Sequence, residues 1–254
     1  MKKQPNPWPP VLYEDDWLIA FDKPSGLLVA PDSENKDRPC LIQLVREHLS
    51  PGIFNTHRID TDISGIVLCA KTKPALSNVT GQFQKHEETR RYLALVVHAP
   101  PEDEMEIAKP VEADPEHPGV MKISGAKHAM ARTRLRVMDR WRGYSLLNVT
   151  PETSKTHQIR VHLAHIGCPV LADPLYGSAG GLKLSAIKPR YQFKPWPERP
   201  LLDRLALHAE SLSFIHPETK ASLTLRAPLP KDFAIAIKYL NQFAGTGFHA
   251  QTQA

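Results

Sequence analysis

Cysteines are few in this 254-residue sequence and long apolar runs are missing, and both shortages exclude classes of protein. The three cysteines are widely spaced and form no C-x-x-C pair, so they indicate neither a disulfide framework nor a zinc ribbon. We therefore expect reduced thiols in a cytoplasmic protein. Apolar runs such as 65–70 and 92–97 are far shorter than the roughly 20 residues of a membrane-spanning helix. The first ten residues contain two lysines but no apolar stretch, so they do not predict a signal peptide.

Familiar motifs for nucleotide and hydride chemistry are absent as well. The chain has no G-x-x-x-x-G-K-[ST] phosphate loop, no G-x-G-x-x-G after a strand, no G-x-S-x-G elbow and no H-E-x-x-H. Nucleotide hydrolysis, hydride transfer and triad hydrolysis therefore lose their usual sequence support. The composition is that of an ordinary globular protein, with 41% hydrophobic and 23% charged residues.

Basic residues only slightly outnumber acidic ones, with 32 Lys+Arg, 27 Asp+Glu and a net charge of +5. This total favours a polyanionic partner only weakly. Placement is more informative, because Arg132, Arg134 and Arg136 recur with the period of a strand and so share one face. Such a face could follow a phosphate backbone, or its arginines could pair with neighbouring carboxylates. The stretch alone slightly favours the ion pairs.

Strand patterns dominate the chain, and helical patterns occur irregularly, without β-α-β alternation. This arrangement predicts an α+β fold with a mixed, mainly antiparallel sheet and flanking helices. An early hairpin is predicted at 11–22, and its second strand resumes at 27–30. No repeat and no Gly/Ser-rich linker divides the sequence. The predicted organisation is a flexible N-terminal arm at 1–10, one domain at 11–244 and a C-terminal tail at 245–254.

Capping residues mark the start of three predicted helices, at Asp37, Thr72 and Thr156. On the third helix, His157 and Arg160 lie together on the side opposite the apolar stripe. A guanidinium on an exposed helix face near its N-terminus can hold a carboxylate or a phosphate bidentately. A solvated face with a capping histidine is the simpler interpretation of this helix alone.

A polar loop leads directly into an apolar strand pattern at 66–71. The loop reads His57-Arg58-Ile59-Asp60-Thr61-Asp62-Ile63-Ser64-Gly65. A carboxylate where a loop meets a buried strand is held rigidly and stays accessible, so Asp60 is a candidate catalytic residue. From this stretch alone, a turn cap or a surface pair between Asp60 and Arg58 has about equal support.

Twelve histidines raise the alternative of a metal site. The candidate ligands fall into two groups, His57, Asp60 and Asp62, and His157, His162 and His165. Neither group contains an H-x-x-x-H pair or a cysteine, so the support for a metal is weak. A metal-dependent nuclease or hydrolase remains an alternative, and a non-catalytic RNA-binding domain is another.

Together these stretches resemble the RluA-type pseudouridine synthase family. That family has a His-Arg-Leu-Asp motif, a Ser-Gly pair and a strand ending in Ala-Lys, which are matched by His57-Arg58-Ile59-Asp60, Ser64-Gly65 and Ala70-Lys71. The further matches, in the family's order, are Leu12-Tyr13-Glu14-Asp15, Lys23-Pro24-Ser25-Gly26-Leu27, Arg90-Arg91-Tyr92, Thr156-His157-Gln158-Ile159-Arg160-Val161-His162-Leu163, Asp173, Tyr176-Gly177, Leu207-His208-Ala209 and Ala227-Pro228-Leu229-Pro230. The similarity covers about residues 11–233, and several motifs in one order are far more specific than any single motif.

The resemblance implies one catalytic domain with a central RNA-binding cleft, in which a uridine of RNA is isomerised to pseudouridine. It implies Asp60 as the nucleophile, Tyr92 stacking on the target base and Arg160 pairing with Asp60. Arg58 would help to hold the RNA after the base leaves its stack. The reaction changes no oxidation state and transfers no phosphate, so we expect no cofactor and no metal.

The predicted partner is RNA, with ribosomal RNA first and transfer RNA second, and the protein is expected to be a monomer without a membrane association. The predicted RNA contacts are His57, Arg58, Arg90, Arg132, Arg134, Arg136 and His157. Four positions depart from the family pattern, namely Ile63 in place of Thr, Ser154-Lys155 in place of Gly-Arg, and Ala172 in place of Gly.

Overall fold

The structure, a computed structural model, describes residues 7–31, 38–177, 180–193 and 195–249. Its strands are β1 (Val11–Glu14), β2 (Leu18–Lys23), β3 (Phe54–Asn55), β4 (Ser64–Ala70), β5 (Thr89–Val97), β6 (Glu104–Ala113), β7 (Met121–Ile123), β8 (Met130–Trp141), β9 (Tyr144–Pro151), β10 (Leu207–Ile215), β11 (Ser222–Arg226) and β12 (Gly245–His249). Its helices are α1 (Leu41–His48), α2 (Lys73–Lys85), α3 (Gln158–His165), α4 (Leu184–Ile187) and α5 (Lys231–Phe243). The chain forms two compact units, residues 1–90 with 209–228, and residues 91–208 with 229–254.

In the first unit the strand order is β1-β2-β4-β10, with β3 paired with β4 and β11 paired with β10. The pairs β1/β2, β2/β4, β3/β4 and β10/β11 are antiparallel. All seven residues of β4 are buried, which explains why its sequence is a continuous apolar run rather than an alternating one. Helix α2 contributes Ala75 and Val79 to the core. The other buried core residues are Leu18, Ala20, Ile66, Leu68, Ala70, Leu212, Phe214, Leu225 and Ala227.

Gly65, the second residue of β4, has a backbone conformation and a packing environment that exclude other side chains. Its φ is +113°, outside the region that L-residues normally adopt. A Cβ there would overlap the carbonyl oxygen of Ala209 and lie 2.8 Å from its carbonyl carbon. The Ser-Gly pair that precedes the apolar strand is therefore explained by the close approach of two backbones.

We expect Gly65→Ala to lower the free energy of unfolding by about 3 kcal/mol or more, because backbone strain and a steric clash add together. Gly26→Ala is the matched control. Gly26 also has a positive φ, +88°, but no other atom lies within 4 Å of its Cβ position, so only the strain of about 1–2 kcal/mol should appear. Urea unfolding of both variants measures the difference, and equal losses would show that the approach to Ala209 is not what requires glycine.

In the second unit the strand order is β5-β9-β8-β6-β7, with β12 paired with β8. The pairs in this order and the β12/β8 pair are antiparallel. Along β8 the burial alternates strictly between Met130 and Val137, as the two-residue period predicts. Helix α3 adds Val161 to a small core that also contains Val111 and Ala131.

The α+β class with a mainly antiparallel sheet is thus confirmed. Thr72 does cap α2, since its side chain accepts a hydrogen bond from the backbone N–H of Ala75. Residues 27–30 do not form a strand and contribute only an isolated bridge between Leu28 and Cys40. Asp37, residues 1–6 of the predicted arm and residues 250–254 of the predicted tail lie outside the described residues, whereas Gly245–His249 form β12.

No helix in the described part of the chain is both long enough and apolar enough to cross a membrane.

Candidate active site

Asp60 lies in a turn that a buried lysine holds in place. The backbone N–H of Ile63 donates to the carbonyl of Asp60 at 3.1 Å, which closes the turn. Lys23, at the end of β2, is completely buried and donates from Nζ to three carbonyl oxygens. These acceptors, at 2.8–3.0 Å, belong to Pro24, Leu27 and Thr61. A buried ammonium is costly unless its donors are satisfied, and here the satisfied donors tie the first hairpin to the residue after Asp60.

The turn that follows Lys23 makes two further hydrogen bonds to the same segment. The backbone N–H of Gly26 donates to the carbonyl of Thr61 at 2.9 Å. The hydroxyl of Ser25 donates to the carbonyl of Asp62 at 2.7 Å. The Lys-Pro-Ser-Gly sequence therefore fixes both residues that follow Asp60, which leaves that carboxylate on a rigid loop.

On the other side of Asp60, His57 attaches the loop to β4. Its Nε2 accepts a hydrogen bond from the backbone N–H of Leu68 at 3.1 Å, and its ring stacks on Phe83 with centroids 5.0 Å apart. Burial, together with the positive charge of Arg90, lowers the pKa of His57 to about 3. The imidazole is therefore neutral at pH 7, as an acceptor must be. These contacts are those of a residue that positions the loop, and the RNA contact at His57 stays a prediction.

Accessibility differs among the charged residues near Asp60. Arg58 and Asp62 are exposed and Asp60 is half-buried, so its carboxylate is both held and reachable. Arg90, by contrast, is 8% exposed and its Nε lies 3.1 Å from Oε1 of Glu88. A buried, ion-paired guanidinium is typical of a structural cation, and contact of Arg90 with RNA stays a prediction.

Arg160 on α3 forms a buried bidentate ion pair in the second unit. Its Nε and Nη2 donate to the two carboxylate oxygens of Asp173, both at 2.8 Å. Arg160 is 3% exposed and Asp173 is completely buried. Asp173 also accepts the backbone N–H groups of Leu175 and Tyr176. The expectation that Arg160 lies on an exposed helix face is wrong, because this carboxylate compensates the guanidinium inside the protein.

Tyr176 covers the same guanidinium from one side. The Arg160 Cζ lies 5.1 Å from the centroid of its ring, within cation–π range. The Tyr176 hydroxyl accepts the backbone N–H of Met121 at 2.7 Å and lies 2.8 Å from Nδ1 of His157. His157 is half-buried in this contact, and its predicted role in RNA binding stays a prediction.

The start of α3 differs from the expected one. Thr156 does not cap the helix, since α3 begins at Gln158 after His157, whose φ is +52° and whose side chain makes no capping hydrogen bond. The anchor is instead Gln158, which is buried and donates to the carbonyl of Arg132 and to the hydroxyl of Thr133, both at 2.9 Å. The Thr-His-Gln-Ile-Arg motif therefore fastens α3 to β8 and so fixes Arg160.

Tyr92 lies in β5, where it is 7% exposed and pairs with Val149 of β9. Ala172, where the family commonly has Gly, adopts a left-handed conformation with φ of +56°. Glycine has no steric penalty in that conformation, which explains the family's preference just before Asp173.

The three arginines of β8 do share one exposed face, as the alternation predicts. Each is ion-paired with a glutamate of β6 or with Glu152, the residue that follows β9. The pairs, with their N–O distances, are Arg132–Glu106 (2.7 Å), Arg134–Glu152 (2.7 Å) and Arg136–Glu104 (3.4 Å). We call these three pairs the arginine ladder. Of the two interpretations left open by the sequence, the geometry favours the charge-paired face, and RNA contact by these arginines stays a prediction.

Within the described residues, no group of three or more His, Cys, Asp or Glu side chains is placed to hold a metal ion. Neither histidine group therefore forms a metal centre there. His162 instead has a structural environment, since its ring nitrogens lie 2.9 Å from the Thr133 hydroxyl and 3.1 Å from the Lys109 carbonyl. Burial lowers the pKa of His162, which keeps the ring neutral.

Two residues that hold candidate site residues in place, Lys23 and Asp173, are assigned no function by the sequence patterns. Lys23 appears there only as part of a turn motif, and after Asp22 at the end of β2 it resembles an ordinary exposed lysine. Asp173 appears only as a motif match. Its pairing with Arg160 crosses the end of α3 and the loop that follows, and no local pattern indicates such a contact.

Comparison with known proteins places the chain in a family. Residues 17–165 match the family model described as RNA pseudouridylate synthase. Three similar proteins bear the name ribosomal large subunit pseudouridine synthase D. They come from Xanthomonas campestris (35% identity, 87% of this chain and 66% of the relative), Pseudomonas aeruginosa (32%, 91% and 72%) and Vibrio cholerae (35%, 87% and 68%). The chain thus spans about two thirds of the length of these curated relatives.

Solved structures agree on the fold. Human RNA pseudouridylate synthase domain containing 4 superposes with a TM-score of 0.67 at 22% identity, over 91% of this chain and 92% of that one. Human RNA pseudouridylate synthase domain containing 1 gives 0.68 at 23% identity, over 92% and 90%. The chain belongs to the RNA pseudouridylate synthase family, as its RluA-type motifs predict.

Proposed function

We propose that this protein isomerises uridine to pseudouridine in ribosomal RNA, without a cofactor. In this reaction the bond from ribose C1′ to N1 of uracil breaks and a bond from C1′ to C5 forms. C5 loses its proton to water, and N1 takes up a proton from water, so substrate and product have the same composition. The relatives named as ribosomal large subunit enzymes support ribosomal RNA as the substrate. Transfer RNA is the second candidate substrate.

Asp60 is the proposed nucleophile, and the observation that carries this role is the double fixation of its loop. Lys23 holds the backbone after Asp60 and His57 holds the backbone before it, while Asp60 itself remains half-exposed. A nucleophile held on a rigid support spends little free energy on orientation when the substrate arrives. Burial under a bound base would disfavour the carboxylate form, and the resemblance assigns to Arg160 the cation that opposes this shift.

Tyr92 is the proposed stacking partner of the target base. We expect Tyr92→Ala to weaken RNA binding by about tenfold or more, because base–aromatic stacking is worth roughly 1–3 kcal/mol. Tyr92→Phe keeps the ring and should stay within about twofold of the wild type. Filter binding to a ribosomal RNA fragment compares the two variants, and equal losses of affinity would contradict a stacking role.

We further propose that the protein acts in the cytoplasm as a monomer. Its three cysteines are free and buried, which is the state expected in a reducing compartment.

The test of the proposed function is release of tritium from RNA that contains 5-tritiated uridine, with EDTA present. The proposal requires tritium release that survives chelation. Strand cleavage that EDTA suppresses would instead identify a metal-dependent nuclease. Tight RNA binding without tritium release would identify a non-catalytic RNA-binding domain.

A further inference from the structure

The segment 189–200, between α4 and β10, exposes two large aromatic rings. Phe193 is 82% exposed and Trp196 is 63% exposed, and among the described residues these are the two most exposed large hydrophobic side chains. We call the described residues of this segment, 189–193 and 195–200, the aromatic loop. A Phe or Trp ring that stays in water does not gain the free energy of burial. A group of such rings, bordered by polar residues, is typical of a binding surface.

Contacts within the aromatic loop position the ring of Phe193. The ring of Tyr191 packs edge-on against Phe193 with centroids 5.2 Å apart, and its hydroxyl hydrogen-bonds to Glu198. Glu198 also accepts the backbone N–H of Ser185 in α4 at 2.9 Å. Prolines occupy four of the twelve positions of 189–200, which limits the backbone freedom that binding would remove.

The charges around the rings are those of a surface for anions. Arg190 and Arg199 are exposed and lie within three residues of Phe193 or Trp196 in the sequence. Glu198 is the one acidic residue of 189–200, and its carboxylate is engaged by Ser185 and Tyr191. The loop therefore offers cations for phosphates and flat rings for bases.

We propose that the aromatic loop binds unpaired nucleotides of the RNA substrate, with Phe193 and Trp196 as stacking surfaces and Arg190 and Arg199 as phosphate contacts. This inference rests on the proposed function, because it takes RNA as the partner. Exposed rings on a segment that also carries exposed arginines suit single-stranded RNA, in which every base has a face that can stack and every nucleotide carries a phosphate. A paired helix keeps its bases within the stack and cannot use the rings.

The experiment measures binding of a fluorescein-labelled dodecauridylate, and of an RNA duplex of the same length, by fluorescence anisotropy at one salt concentration. The variants are Phe193→Ala, Trp196→Ala, their double variant, and Trp196→Phe, which keeps a ring. Ile235→Ala is the matched control, since Ile235 is a 43% exposed apolar residue on α5 of the same unit. All the substituted side chains are exposed, so folding should be unaffected.

The double variant is expected to bind dodecauridylate about 20-fold or more weakly, while its affinity for the duplex changes less than about twofold. Trp196→Phe and Ile235→Ala should bind like the wild type. An unchanged affinity of the double variant for dodecauridylate would overturn the inference. An equal loss of affinity for the duplex would also overturn it. Sedimentation of the same variants gives a third test, because a change in oligomeric state without a change in RNA affinity would assign the rings to contact with a second copy of the chain.

The same samples separate this inference from the proposed function. Tritium release by the wild-type protein, with equal RNA affinity of all variants, would refute the loop's role and leave the isomerase intact. Loss of dodecauridylate binding in the double variant, with no tritium release by the wild type, would establish the loop's role and refute the isomerase.

Discussion

Asp60→Asn is expected to abolish the release of tritium from 5-tritiated uridine in RNA, with turnover reduced by about 10⁴-fold or more. An amide has nearly the size of the carboxylate but cannot attack as a nucleophile, so the covalent step is lost. The loop should keep its conformation, because the substitution leaves the contacts of Lys23 and His57 in place. RNA affinity should therefore stay within about threefold of the wild type, since binding does not need the nucleophile.

Asp62→Asn is the matched control for this variant. Asp62 lies on the same loop, is exposed, and is held through its carbonyl oxygen by Ser25 rather than through its side chain. The two substitutions remove the same charge within two positions of each other, so a general electrostatic effect on RNA binding would appear in both. Equal losses of tritium release in both variants, or activity retained by Asp60→Asn, would refute the nucleophile assignment.

Asp173→Asn is expected to lower the free energy of unfolding by about 3–5 kcal/mol, the usual cost of removing one partner from a buried ion pair. Both carboxylate oxygens of Asp173 accept hydrogen bonds from Arg160, and neither side chain is more than 3% exposed. An asparagine turns one of these acceptors into a donor that faces the guanidinium. The charge of Arg160 then stays buried, and the carboxylate of Asp173 no longer compensates it.

The Arg204–Asp232 pair provides the control for this prediction. It has the same bidentate geometry, at 2.6 and 2.9 Å, but its side chains are 19% and 38% exposed. Water can solvate Arg204 in Asp232→Asn, so the loss should be about 1 kcal/mol or less. Urea unfolding measures both variants. A loss in Asp173→Asn no greater than that in Asp232→Asn would show that burial does not decide the value of the pair.

The sequence predicts elements well where a local interaction decides them. Thr72 caps α2 because its side chain reaches an N–H three residues ahead, and the arginines of β8 share a face because a strand has a two-residue period. Strand β6 has no such local signal, because Glu104 and Glu106 on its outer face make the segment resemble a solvated loop. Those glutamates lie opposite the arginines of β8 in the sheet, which only the fold reveals.

The candidate site residues also divide into those that a local pattern predicts and those that only the fold reveals. Asp60 stands out from its position between a polar loop and an apolar strand. The contact of Lys23 with Thr61 joins residues 38 positions apart, and the contact of Arg160 with Asp173 crosses a turn in which Ala172 has a left-handed conformation. Such contacts depend on the path of the backbone in space. The expected exposure of Arg160 failed for this reason, since helical periodicity shows which residues share a face but not what packs against that face.

The arginine ladder has a consequence for how RNA could use this face of the sheet. An RNA phosphate reaching Arg134 would have to displace Glu152, so contact would exchange one anion for another instead of adding a new attraction. The displaced carboxylate would attract a cation from solution, while the phosphate would release one of its condensed cations. The net release of cations would therefore be small. The ladder would then set the position of an RNA strand along β8 while contributing little to the dependence of affinity on ionic strength.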